Sequence, residues 1–127
     1  MHVSILVPKG NVVVSSIMGA FKIFNTTNSF LMQTAQRTDE KFQIDMVGLD
    51  KEETYYGGMV SMRATKTIQE VEKTDLIIVT TVMGDMDEGI EANREFVNWI
   101  RNQRIENDAE VASLCTGAVL LAETGLL

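Results

Sequence analysis

The chain is poor in cysteine, histidine and positive charge: of 127 residues, one is Cys, one is His and 11 are Lys or Arg, against 18 Asp or Glu. A lone cysteine cannot close an internal disulfide. The formal charge of −7 repels phosphate backbones, which excludes nucleic-acid binding by this segment and confines any DNA role to another domain. Long apolar runs are also missing. Met1 is followed by a polar residue and a strand-like run too short for a secretory signal or a membrane span, so a cytoplasmic protein is expected. Gly10 stands without the further glycines, lysine and serine or threonine of a phosphate-cradling loop, which excludes nucleotide binding. No repeat, low-complexity tract or interdomain linker divides the sequence, and one domain over residues 1–127 is expected.

What is present suffices for a soluble core, with 45% hydrophobic and 23% charged residues. Val3, Ile5, Leu6 and Val7 read as a buried first strand that stops at Pro8-Lys9-Gly10. From Ser15 the period changes. Ile17, Ala20, Phe21, Phe24, Asn28, Leu31 and Ala35 fall on one stripe, which predicts a single helix to about Arg37, with Asn28 its one polar member and Thr38 to Lys41 a loop. Gln43 to Val47 reads as the next core strand, and Tyr55-Tyr56-Gly57-Gly58 with Met59 to Met62 reads as a hairpin or bent edge strand. That segment suits either dimer pairing or a solvent-facing turn. Leu76 to Val79 is a β-branched run expected at the sheet centre. Glu88 to about Gln103 is predicted as one helix, Val111 to Leu114 as a short strand, and Gly117 to Ala122 as a helix ended by Gly125. The apolar pair Leu126-Leu127 after that glycine suggests that the chain runs on into another element. Strands alternating with helices predict a flavodoxin-like three-layer α/β/α sandwich around a mainly parallel sheet. In such sheets the crevice lies at the carboxyl ends of the strands, where the loops after Pro8, Val79 and Leu114 should converge.

Cys115 stands directly after a strand and directly before a helix, with Gly117 two residues on, where a close backbone approach rejects a larger side chain. This is a nucleophile elbow in outline. Free amides at the helix start stabilise a thiolate there and raise its reactivity, and the Thr116 amide faces a developing oxyanion. Spacing alone equally fits a small inert residue packed in the core. Val82, Met83 and Gly84, in the loop after the central strand, are the other candidates to line the pocket with Cys115 and Thr116.

The run from Glu110 through Ser113-Leu114-Cys115-Thr116-Gly117 to Glu123-Thr124-Gly125-Leu126-Leu127 closely resembles the elbow of PfpI-like domains in AraC-type transcriptional regulators. These belong to the DJ-one, class I glutamine amidotransferase-like superfamily. Gly84-Asp85, Asn93, Trp99, Ile100 and the strand Asp75 to Val79 extend the likeness over most of the chain, with Lys51 to Glu70 matching loosely. The resemblance implies a dimeric three-layer domain that precedes a helix-turn-helix region absent here, and a ligand-sensing or dimerising role in which Cys115 contacts a small molecule or registers oxidation. It also implies the alternative of a cysteine-dependent hydrolase, amidase or glyoxalase-like enzyme whose histidine lies beyond residue 127.

The sequence departs from the enzymes of that superfamily in three places. His2, the only histidine, sits in the first strand away from the loops and reads as structural. Ser15 or Ser16 replaces the acidic residue near the start of the first helix. Thr80-Thr81 stands where many relatives carry glycine, which argues against a preformed oxyanion hole. Asp85, Asp87 and Glu88 read as helix-capping carboxylates rather than a metal site, with Asp85 or Asp87 as the cap, and no metal or cofactor is expected. Met83 and Met86 suit either an apolar ligand site or core filling.

Overall fold

The structure is a computed structural model that describes residues 1–35, 39 and 41–127. The expected helix end at Arg37 and the loop residues Thr38 and Glu40 lie outside the described residues. β1 (His2–Val7) is followed by α1 (Val14–Phe30), which runs straight into a π-helical turn at Leu31–Ala35. There is no break at Thr26-Thr27. β2 (Gln43–Gly48) leads into the antiparallel hairpin of β3 (Glu52–Tyr55) and β4 (Val60–Arg63), then into a two-residue strand, β5 (Lys66–Thr67). β6 (Leu76–Val79), α2 (Met86–Ala92), α3 (Arg94–Asn107), β7 (Glu110–Ser113) and α4 (Gly117–Glu123) complete the described order.

Five strands form one sheet in the order β5-β2-β1-β6-β7, every neighbour parallel, as expected for a chain whose strands are joined by helical crossovers. Alternation along β1 sends Val3, Ile5 and Val7 to the α1 face, where Ile17 and Ala20 cover them, and Leu6 to the opposite face, against Phe96, Ile100 and Leu120. The polar stripe member Asn28 is buried because it works as a splint: its amide donates to Phe42 O (2.8 Å) and its carbonyl accepts from Phe42 N (2.7 Å).

One prediction is corrected. The helix expected over Glu88 to Gln103 is two helices, α2 and α3, divided at Asn93. This buried side chain accepts from Lys9 N (2.8 Å) and donates to Lys9 O (3.0 Å) and Gly89 O (2.8 Å). Clamping both backbone groups of the loop after β1 outweighs helix continuity. The turn of the hairpin faces solvent at Tyr56 to Met59, and its tyrosines tie it to the loop after β1. Tyr55 is buried with its hydroxyl donating to Pro8 O (2.6 Å), and the Tyr56 hydroxyl donates to Val12 O (2.8 Å).

Candidate functional site

The carboxyl ends of β1, β6 and β7 place three loops side by side, and hydrogen bonds lock them together. Met83 N donates to Asn11 O (2.8 Å), Val12 pairs with Val82 in an isolated bridge, and the Thr81 hydroxyl donates to Leu114 O (3.2 Å). The turn after β7 carries Cys115 in the left-handed region, at φ 51°. A non-glycine residue there is strained by about 1–3 kcal/mol, and such strain persists where the surroundings hold it. Those surroundings are visible: Leu114 N donates to Val79 O (2.9 Å), Gly117 N to Leu114 O (2.9 Å), and the Thr116 hydroxyl to Val82 O. Gly117 is required by contact, since an added Cβ would lie 2.4 Å from Val79 O and 2.7 Å from Thr80 O.

The strain lifts Cys115 out of the core. It is exposed, which removes the reading of a small packed residue. Met83 and Gly84 line an open depression of about 270 Å³ with Gly10, Asn11, Asp85 and Glu88, while Val82 is buried beneath and contributes its carbonyl. The five predicted residues thus divide: Cys115 is exposed at the elbow, Thr116 braces it, Val82 is foundation, and Met83 and Gly84 line a depression to which Cys115 and Thr116 do not contribute. Asp85 caps α2, accepting from Glu88 N (3.0 Å).

Two features at the loops were not read from the sequence. Ser16, near the start of α1, accepts the Thr81 amide on its hydroxyl (3.1 Å), and that hydroxyl donates to Val13 O (2.8 Å). The amide after β6, which lies beside the central β1 rather than at the sheet centre as expected, therefore has a partner inside the fold. Beneath the loop after β1, the Lys9 ammonium meets Asp50 directly and Glu53 Oε1 at 3.8 Å. The Asp50 contact raises Lys9 above its ordinary range. Burial raises Glu53, and its Oε1 has no hydrogen-bond partner. Neither feature follows a local motif, because each depends on loops brought together by the sheet.

His2 lies at the opposite, amino-terminal end of the sheet. Its Nε2 is 2.7 Å from Asp45 Oδ2 and its Nδ1 is 2.8 Å from Thr74 Oγ1, so both ring nitrogens are engaged structurally. Among the described residues, no group of three or more His, Cys, Asp or Glu is placed to hold a metal, and no described helix is long and apolar enough to cross a membrane.

The pattern of the DJ-1/PfpI family matches residues 9–127. The chain belongs to the DJ-1/PfpI family. Solved structures agree on the fold of this DJ-1/PfpI chain. A candidate transcriptional regulator protein from Vibrio parahaemolyticus superposes with a TM-score of 0.80 at 21% identity, covering 100% of this chain and 62% of its own. An AraC family transcriptional regulator from Pseudomonas putida gives 0.67 at 18%, covering 99% and 62%, and oxidized DJ-1 from Toxoplasma gondii gives 0.69 at 17%, covering 99% and 62%. The DJ-1/PfpI chain thus spans about three-fifths of the length of each of these structures. No curated protein matches it.

Proposed function

We propose that this DJ-1/PfpI chain is the ligand-sensing or dimerising domain of an AraC-type DNA-binding transcriptional regulator, acting in the cytoplasm, with DNA contacted through a region outside these 127 residues. The observation that carries the reading is the engagement of the Thr81 amide by Ser16 beside an exposed, strained Cys115. The elbow presents a thiol, while the amide of Thr81, after β6, is held by the Ser16 hydroxyl at the start of α1, where hydrolases of this kind carry an acid. A presented cysteine with the Thr81 amide already engaged and a serine in place of the acid suits contact with a small molecule, or oxidation, better than turnover. Likeness to regulators from two bacteria supports the assignment. Homodimerisation is supported by Ile23 and Phe30, 66% and 63% exposed and seven residues apart on α1.

The strained φ at Cys115 favours a second reading, a cysteine-dependent hydrolase, amidase or glyoxalase-like enzyme that obtains its histidine from beyond residue 127. Two measurements separate the readings. The 127-residue protein should show negligible amidase, peptidase or glyoxalase turnover, and activity lost on Cys115→Ser would establish the enzyme. Reading the encoding gene past residue 127 should reveal a helix-turn-helix pattern; termination after one more strand and helix would overturn the regulator.

A further inference from the structure

The amides of α3 are of two kinds. Those on its inner side are employed in the fold. Asn93 at its start clamps Lys9, Gln103 Oε1 accepts from Thr74 N (3.2 Å) while its Nε2 donates to Glu72 O (3.1 Å), and Asn107 Nδ2 donates to Gln103 Oε1 (3.1 Å). Asn98 and Asn102 are exposed, and among the described residues their side chains have no hydrogen-bond partner. Asparagine is a weaker helix former than alanine, so this pair costs the helix stability and returns no contact within the fold.

Offsets of three, four and seven residues from Glu95 put Asn98, Trp99 and Asn102 on one face of α3. They line an open groove of about 310 Å³ with Ile68 and Gln69, which belong to the 3-10 turn Ile68–Glu70 that follows β5. This is the small end of the range of ligand sites. Both walls are fixed: Thr67 N donates to Glu70 Oε2 (2.7 Å) across the turn, and α3 is seated on the core through Phe96 and Ile100. Trp99 and Ile68, partly buried and packed against that core, supply the apolar side of the groove. Gln69, Asn98, Asn102 and the Glu95 carboxylate supply the polar side, and no basic side chain lines it.

That combination selects a ligand class. Each amide both donates and accepts, as a hydroxyl does, whereas an anion would meet Glu95 with no cation to receive it. An indole beside amides complements a ring that has an apolar face and a rim of hydroxyls. We propose that this groove binds a neutral pyranose sugar, its ring against Trp99 and its hydroxyls on Gln69, Asn98 and Asn102. The site uses none of the residues at the Cys115 elbow and stands independently of the regulator reading.

Trp99 is the only tryptophan, so its emission reports on this groove alone. Glucose, galactose and mannose are titrated into the 127-residue protein, each beside its uronic acid and its open-chain alditol. At least one of the three sugars should shift the emission with a midpoint on the order of 1–10 mM, and its uronic acid and alditol should bind about tenfold more weakly or worse. The double variant Asn98→Ala/Asn102→Ala, at two exposed positions, should weaken that sugar about tenfold while the melting temperature holds or rises, since alanine favours the helix. Emission unmoved by all three sugars up to about 50 mM would overturn the proposal. So would an alditol or uronic acid that binds as well as its sugar, or a double variant that binds the sugar unchanged.

Discussion

Asp45 and Glu53 are both largely hidden carboxylates, with side chains 11% and 14% exposed, yet their neighbours push them in opposite directions. Burial raises Asp45, but hydrogen bonds from His2, Lys66 and Thr65 outweigh it and leave it below its ordinary value of 3.8. A depressed folded-state pKa means stability that is present above the unfolded value and lost as pH falls through the folded one. Asp45→Asn should therefore cost about 2–3 kcal/mol at pH 7, and the gap from wild type should close as the pH drops below about 4. Urea denaturation across that range checks it; a gap independent of pH would refute the assignment. Glu53 is the reverse case, raised by burial, with one oxygen unpartnered. Its ionised form weakens the fold, and stability is recovered as pH falls. Glu53→Gln should gain about 0.5–1 kcal/mol at pH 7, with the gain vanishing below about pH 4, since Lys9 retains Asp50. An unchanged or lowered midpoint at pH 7 would contradict it. The placement of Cys115 on a strand-to-helix turn was legible at this scale because strand, elbow and glycine are contiguous. The partners of Glu53 and Ser16 were not, because they come from loops 44 and 65 residues away.

Elements were legible where their period is long and local. The stripe through Ile17, Phe21, Phe24 and Leu31 predicted α1 in one piece, and the apolar runs predicted β1, β2, β6 and β7. The division of α2 from α3 escaped the same reasoning, because Asn93 is set by Lys9, 84 residues away, rather than by its neighbours. β5 escaped for a related reason: two residues carry no period, and only pairing with Val47 and Gly48 makes them a strand. Glycine gives a test of how far local propensity rules each helix. At Gly117, in the first turn of α4, a Cβ meets backbone oxygens of β6 and its loop, so Gly117→Ala should cost about 3 kcal/mol or more and disturb the elbow. At Gly19, within α1, nothing lies within 4 Å of an added Cβ, so Gly19→Ala should gain about 0.5–1 kcal/mol from helix propensity alone. Thermal melts of the two variants should move in opposite directions; similar shifts would mean that the contact at Gly117 is absent.

At the scale of the whole molecule, the parallel sheet separates two kinds of polar chemistry. The His2, Asp45 and Thr74 cluster closes the amino-terminal end, while the elbow and its bracing loops occupy the carboxyl end. Charge follows a third pattern. Five basic side chains are neutralised where they stand: Lys9 by Asp50, Lys51 by Glu70, Lys66 by Asp45, Arg94 by Glu91 and Glu123, and Arg104 by Asp108. Phosphate binding needs several unpaired cations on one surface to displace condensed counterions, and a net charge of −7 with these five cations paired opposes it. If the regulator reading is right, DNA affinity belongs to another region, and this domain on its own should be inert toward duplex. Mobility-shift measurements at about 50 mM salt, where non-specific contacts are strongest, should show no retention of a duplex of roughly 20 base pairs at micromolar protein. Retention that disappears on raising the salt to about 200 mM would reveal a cationic surface on this fold and would move the DNA-binding function into these 127 residues.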